Sequence, residues 1–276
     1  MDFIEILKAI IYGIVEGITE WLPISSTGHL IILEDLLKFK DMRTDFWNLF
    51  LVVIQLGAIL AVIVIYFKKL FPVSRSESGV FIIEKSKLRL WLKIIIASIP
   101  AAVIGLPFDD ILEKYLQNTP TVATMLIVVG IVFIIVENYN KDKKANITRM
   151  SELSYKTAFF IGISQVLAMI PGTSRSGITI IAALLLGASR VIAAEFTFYL
   201  AIPVMLGASL LRAIKYGLPQ GLNEYSIIIT SFIVSFIVSI VVIKFLMTYI
   251  KKRDFKVFGW YRIALGIVLF LYMFIK

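Results

Sequence analysis

Cysteine is absent from the 276 residues, and histidine occurs once, as His29. The first absence excludes disulfides, thiolate nucleophiles and Cys-based metal sites. Nothing matches a P-loop, a dinucleotide-binding turn or a zinc motif. The basic start of a secretory signal is also missing. Asp2 and Glu5 stand there instead, and Glu16 interrupts the first apolar run, so residues 1–22 are expected to belong to the mature fold. What the chain has in excess is hydrophobicity. Its 59% hydrophobic residues and mean hydropathy of +0.91 exceed the about 45–50% of a soluble domain on a looser count. The reading is an all-α polytopic membrane protein, one integral membrane domain over residues 1–276. The formal net charge of +9 sits in short loops between apolar runs, which excludes nucleic acid as the partner and makes the membrane the partner instead.

Six segments are apolar and long enough to cross a bilayer: roughly 47–67, 91–107, 121–137, 194–211, 226–249 and 257–275. Three loops are basic. One carries Lys68, Lys69, Arg75, Lys85, Lys87, Arg89 and Lys93, the next Lys141 to Lys156, and the third Lys251 to Lys256. The positive-inside rule puts all three in the cytoplasm, and six crossings leave the acidic Asp109, Asp110 and Glu113 in a loop outside. Residues 3–38 and 157–190 do not fit as spans. Each is an apolar helix, a Pro/Gly/Ser break and a second short helix. Two re-entrant hairpins, the first entering from outside and the second from inside, keep every charge assignment.

Short matches also recur along the chain. Gly13-Ile14-Val15-Glu16 parallels Gly162-Ile163-Ser164-Gln165, Leu56-Gly57-Ala58 parallels Leu206-Gly207-Ala208, and Gly130-Ile131-Val132 parallels Gly266-Ile267-Val268. Their order suggests an internal repeat of residues 1–140 and 151–276, each half a hairpin and three spans. An odd number of spans inverts the second half. Inverted repeats with broken helices place polar sites near the midplane. Chance recurrence of Gly-Ala and Gly-Ile pairs in apolar sequence is the alternative.

Both hairpins hold polar clusters, and ionisable groups at membrane depth point to function. In the first, Glu16 and Glu20 share a helix face. Adjacent carboxylates repel unless one is protonated or a cation lies between them. Ser25, Ser26, Thr27 and His29 follow, and a histidine near carboxylates suits acid–base work. In the second, Pro171-Gly172 ends one helix. Thr173, Ser174, Arg175 and Ser176 then precede the next, and Thr179 lies within it. Small residues before a helix start, with an arginine among them, suit phosphate. Capping and snorkelling roles are the bland alternatives for both clusters. Together the clusters suggest a phosphate held by the second and attacked, or clamped through a metal, by the first.

These motifs resemble those of the bacterial undecaprenyl-diphosphatases, the bacitracin-resistance protein family. The family's (Glu/Gln)-x-x-x-Glu pattern matches Glu16 to Glu20. Its Leu-Pro-x-Ser-Ser-Thr-Gly-His run matches residues 22–29. Its Pro-Gly-x-Ser-Arg-Ser-x-x-Thr pattern matches Pro171 to Thr179. Gln165 and Met169 hold the places of Glu16 and Glu20 in the second half, so only the first half keeps the acid pair. The resemblance implies hydrolysis of undecaprenyl diphosphate to undecaprenyl phosphate and inorganic phosphate, aided by Mg²⁺ or Ca²⁺. That reaction recycles the lipid carrier of cell-wall synthesis and gives bacitracin resistance. The implied site faces the outer side of the bacterial cytoplasmic membrane.

On this reading Glu16, Glu20, Ser26, His29 and Arg175 act in catalysis, with Glu16 and Glu20 as metal ligands. Ser25, Thr27, Ser174, Ser176 and Thr179 bind substrate, a long-chain polyprenyl diphosphate. Ser26, His29 and water all remain open as the attacking group. A lipid-phosphate transporter or flippase is the rival function, because inverted repeats also suit alternating access. The small-residue stretch 203–209 packs either within the chain or in a homodimer.

Overall fold

Apolar sequence with few breakers folds almost wholly as helix. The computed structural model describes residues 3–40, 43–75 and 81–275. The helices are α1 (Phe3–Thr19), α2 (Ser26–Leu36), α3 (Thr44–Ile65), α4 (Phe67–Leu70), α5 (Lys85–Leu116), α6 (Thr119–Tyr139), α7 (Tyr155–Gln165), α8 (Arg175–Leu185), α9 (Arg190–Tyr216), α10 (Gly221–Tyr249) and α11 (Lys256–Ile275). A 3₁₀ turn, Val166–Met169, extends α7. Two short antiparallel strands, β1 (Val73–Arg75) and β2 (Phe81–Ile83), lie in the first basic loop. Starts are set by side-chain caps. Asn118, Ser154 and Ser189 accept from the amides of Thr121, Thr157 and Ile192 at the heads of α6, α7 and α9.

Six of these helices are long and apolar enough to cross a membrane: the bulk of α3, α5, α6, α9, α10 and α11. They coincide with the six expected segments. One boundary differs. Asp109, Asp110 and Glu113 were expected in an outer loop, but their backbone is helical, because α5 runs through Pro100 and Pro107 to Leu116. Proline is tolerated in apolar helices where neighbours satisfy the freed carbonyls. The expected broken segments are present as α1–α2 and α7–α8. The 17 residues of α1 reach about 25 Å and the 11 of α8 about 16 Å, both short of the about 30 Å hydrocarbon core.

The bundle is built from close helix pairs: α1 on α10, α10 on α3, α3 on α9, α5 on α7 and on α9, and α6 on α11. Association inside lipid relies on close backbone approach rather than apolar burial. At Gly162 on α7, an added Cβ would collide with the Ala97 carbonyl of α5. At Gly13 on α1 it would lie 2.7 Å from the Ser231 carbonyl of α10. The centre is aromatic, with Trp21 edge-on to Phe198 at 5.2 Å and Tyr66 edge-on to Tyr199 at 5.2 Å.

The three basic loops meet at one end. Lys93 Nζ donates to the Met150 and Ser151 carbonyls, both at 3.3 Å. Glu137, buried at the end of α6, accepts from Arg190 Nη2 at 2.6 Å and from the Phe255 amide at 3.0 Å. In the exposed turn at 148–152, Glu152 accepts from the amides of Thr148 at 2.9 Å and Arg149 at 3.1 Å and from Arg149 Nε at 2.7 Å. These bonds, those of the Thr148 amide first, hold its carboxyl at about 2. A depressed carboxyl stabilises the turn above the ordinary carboxylate range and loses that contribution as pH falls towards the folded value. Amide exchange at Thr148 and Arg149, corrected for its intrinsic pH dependence, is therefore expected to lose protection between about pH 5 and pH 2. Protection unchanged across that window would contradict the assignment.

Candidate functional site

The two broken helices meet at their breaks. After α1 the chain keeps one more helical bond, Glu20 N–H to the Glu16 carbonyl at 3.0 Å, so the two acids lie one turn apart on the same face. The chain then turns at Pro23 and starts α2. After the 3₁₀ turn it bends at Pro171-Gly172 and starts α8. The residue before each second helix has the same unusual backbone. Ser25 has φ 74° and Ser174 φ 69°, the only non-glycine residues with positive φ among those described. Such conformations cost about 1–3 kcal/mol each and persist where surrounding structure fixes them. The two serines are 149 residues apart, as are Gly13 and Gly162.

The first residues of α2 and α8 share one carboxylate. Arg175 Nη2 donates to Glu20 Oε1 at 3.1 Å, and Ser26 Oγ donates to Glu20 Oε2 at 3.4 Å. Arg175 Nη1 donates to the Thr197 carbonyl of α9 at 2.9 Å, and its guanidinium lies 5.8 Å from the Trp21 ring centre. Ser176 Oγ donates to the Glu20 carbonyl at 3.2 Å and lies 3.2 Å from Ser174 Oγ. Ser174 also caps α8, accepting from the Gly177 amide at 3.2 Å.

Other expected residues fall in different places. Thr179 is fully buried. Its hydroxyl donates to the Arg175 carbonyl at 2.8 Å and lies 2.9 Å from the Thr197 hydroxyl. It braces the helix turn that carries Arg175. Thr27 lies half-buried in the first turn of α2, beside Ser26. His29 stands apart from the carboxylates. Its Nδ1 donates to the Ser25 carbonyl at 2.8 Å, and its Nε2 accepts from the Tyr261 hydroxyl at 2.7 Å. A carbonyl only accepts, which fixes the proton on Nδ1. The rings also stack, with centres 5.6 Å apart. Neither ring nitrogen is thus on Glu16, Glu20 or Ser26.

Two neighbours of the site were not anticipated. Arg262 on α11 is fully buried. It donates to the Pro23 carbonyl of the first break at 3.2 Å, and to the Gly172 and Thr173 carbonyls of the second at 2.7 and 2.9 Å. It ties the two breaks together. The signal was present, since an arginine inside an expected span is a functional candidate by default. Tyr261, its sequence neighbour, carried no such signal.

Several buried polar atoms at the site make no hydrogen bond among the described residues: both Glu16 carboxylate oxygens, the hydroxyls of Ser25 and Thr173, Arg175 Nε, and both ends of the Gln165 amide. Buried polar groups are normally satisfied, and an unneutralised carboxylate at this depth is costly. The donor set is thus two carboxylates with an adjacent guanidinium and hydroxyls. Among the described residues no cluster of three or more His, Asp, Glu or Cys forms.

Six apolar helices around a buried nest of charge define a multi-pass membrane protein with a polar site inside its bundle. Anion recognition and proton transfer are the chemistries those side chains can perform. The chain belongs to the family described as bacitracin resistance protein BacA, which matches residues 9–268. It is 56% identical over 97% of both chains to a protein of Lachnoclostridium phytofermentans named undecaprenyl-diphosphatase. A protein of the same name from Enterococcus faecalis is 53% identical over 98% of both chains. Undecaprenyl-diphosphatase 1 of Clostridium acetobutylicum is 54% identical over the whole of both.

Proposed function

We propose that this chain hydrolyses undecaprenyl diphosphate to undecaprenyl phosphate and inorganic phosphate at the junction of its two broken helices. Family membership and full-length relatives of that name support the reaction. The observation that carries the site is the shared carboxylate, with Arg175 and Ser26 on the two oxygens of Glu20. Arg175 is the phosphate clamp, because a guanidinium matches phosphate oxygens in a bidentate fork. Ser174, Ser176, Ser25 and Thr27 supply hydroxyls around it, and Thr179 positions Arg175. Ser26 attacks the terminal phosphorus and passes its proton to Glu20. The phosphoanhydride bond breaks, and undecaprenyl phosphate leaves with the bonding electron pair. Water then releases phosphate from the serine. Ser26 takes this role because it is the candidate hydroxyl whose donor bond already lies on a carboxylate. Tyr261 and the Ser25 carbonyl hold His29 in one orientation in the first turn of α2.

Glu16 and Glu20 are the proposed ligands of Mg²⁺ or Ca²⁺. The fit rests on Glu16, whose buried oxygens have no hydrogen-bond partner among the described residues, and on the pair's spacing of one turn. Mg²⁺ commonly takes only one or two carboxylates together with substrate phosphates, so a third acid is not required. When bound, such a cation neutralises phosphate charge and polarises a phosphoryl oxygen.

The same proposal includes the inverted repeat of residues 1–140 and 151–276, with α1–α2 and α7–α8 as re-entrant hairpins. Exchanging the halves maps the α1–α10 contact onto α7–α5, and α3–α10 onto α9–α5. It also maps Gly13 onto Gly162 and Ser25 onto Ser174. The basic loops face the cytoplasm and the site opens outward from the bacterial cytoplasmic membrane. A chain without cysteine suits single-cysteine labelling at positions 118 and 251 as a check of sidedness. A homodimer would use the α9 face at Gly207, where an added Cβ meets nothing within 4 Å.

The test is phosphate release from undecaprenyl diphosphate by purified protein in detergent, with and without a chelator. Chelation is expected to abolish release and added Mg²⁺ to restore it. Lipid movement in vesicles without any phosphate release would favour the transporter instead.

One further outcome arises at His29. Tyr261→Phe removes the hydroxyl that holds Nε2 while leaving the stacked ring. A lost hydrogen bond is worth about 0.5–1.5 kcal/mol, which limits the loss of stability to that size and predicts a roughly 2- to 12-fold fall in kcat/KM if His29 must be held for the reaction. Full activity would remove Tyr261 from the positioning role.

A further inference from the structure

At the basic end of the bundle, away from Glu20 and Arg175, lies an open cavity of about 580 Å³. Its walls come from the end of α6, the α8–α9 turn and the α10–α11 turn. Five cations line it, Lys141, Lys143, Lys144, Arg190 and Lys251, against one carboxylate, Glu137. That carboxylate is already neutralised by Arg190, and Glu137 also accepts from the Phe255 amide. Lys141, Lys144 and Lys251 are exposed and form no ion pair with the described residues. Such a surplus of unneutralised cations around one concavity calls for an anion.

The walls are fixed in advance. The Asn146 and Ile147 amides both donate to the Gly187 carbonyl, at 2.9 and 3.0 Å, and the Ser189 amide donates to the Ile147 carbonyl at 2.9 Å. Gly187 takes φ 90° to make that turn. One wall is apolar, with Leu185 and Leu186 exposed beside the lysines. A concavity that is cationic on one side and leucine-lined on the other, at the polar end of apolar helices, matches an amphiphile rather than a free ion. Basic pockets between membrane helices bind phosphate headgroups in this way.

We propose that this cavity is a binding site for the phosphate headgroup of an anionic phospholipid, with an acyl chain along Leu185 and Leu186. It is separate from the substrate site and does not depend on the catalytic reading. The test uses full-length protein in mild detergent, titrated with phosphatidylglycerol or with phosphatidylcholine of the same chains and read by native mass spectrometry. In Lys141→Gln/Lys144→Gln/Lys251→Gln, phosphatidylglycerol affinity is expected to fall on the order of 100-fold, with phosphatidylcholine binding and phosphate release unchanged. Should the triple variant not fold, Lys251→Gln alone is expected to lose about fivefold. Equal phosphatidylglycerol affinity in wild type and variant would overturn the proposal. So would stabilisation of wild type, but not variant, by inorganic phosphate without lipid retention, since that marks a free-anion site.

Discussion

Glu20→Gln is expected to lower kcat for phosphate release about a thousandfold, with a much smaller change in KM. The carboxylate lies between the two breaks and, beside its proposed place on the metal with Glu16, has two tasks. In the proposed mechanism it takes the proton of Ser26 as that hydroxyl attacks, and in the structure it holds Arg175 by an ion pair at 3.1 Å. Loss of a positioned base alone costs about 10²–10⁴ in rate, and loss of a preorganised electrostatic partner about 10²–10³. Glutamine keeps the size and one hydrogen-bond acceptor, so the folded state should survive. Steady-state kinetics on undecaprenyl diphosphate in detergent give the ratio. Activity within threefold of wild type would remove Glu20 from the chemistry.

Arg262→Leu is the second large effect, and it falls on stability. The guanidinium is fully buried, and its three bonds reach Pro23, Gly172 and Thr173. Substitution leaves three buried carbonyls without that donor and removes the tie between the breaks. Each unmade buried bond costs about 1–3 kcal/mol, which predicts a loss of about 3–5 kcal/mol. Phosphate release would fall with it, because Arg175 and Glu20 sit on opposite sides of the tie. Arg262→Lys should recover only part, since one ammonium cannot span carbonyls on both breaks as a planar fork does. Unfolding in detergent measures both variants. Stability equal to wild type in Arg262→Leu would show that the breaks are held by other contacts.

Much of this was legible in the residues. Hydropathy marks the six long helices, and the breaks at Pro23 and Pro171-Gly172 mark where helices stop in apolar sequence. Charge and hydroxyls at those breaks mark the candidate site, because such groups are costly at membrane depth. The C-terminal third of α5 was missed for a physical reason. Pro107 and the acids after it read as a loop, yet a proline inside an apolar bundle need not end a helix. The tie through Arg262 joins residues 239 and 90 positions apart, and no local pattern encodes such a contact. The same holds for Tyr261 and His29, which are 232 apart. His29 reads as a neighbour of the carboxylates by sequence spacing, but helix geometry aims its ring at α11. The matching positive φ at Ser25 and Ser174 could not be read from serine, which rarely adopts that conformation.

The claim that two distant clusters form one catalytic centre is tested most directly by a double-mutant cycle on Glu20 and Arg175. Glu20→Gln and Arg175→Ala are each expected to cost about a thousandfold in kcat/KM. Residues acting as one unit are strongly non-additive, so the double variant should lose only about 10³–10⁴-fold. A loss near 10⁶-fold, the product of the two single effects, would mean that the carboxylate and the guanidinium act independently and would contradict a single shared centre.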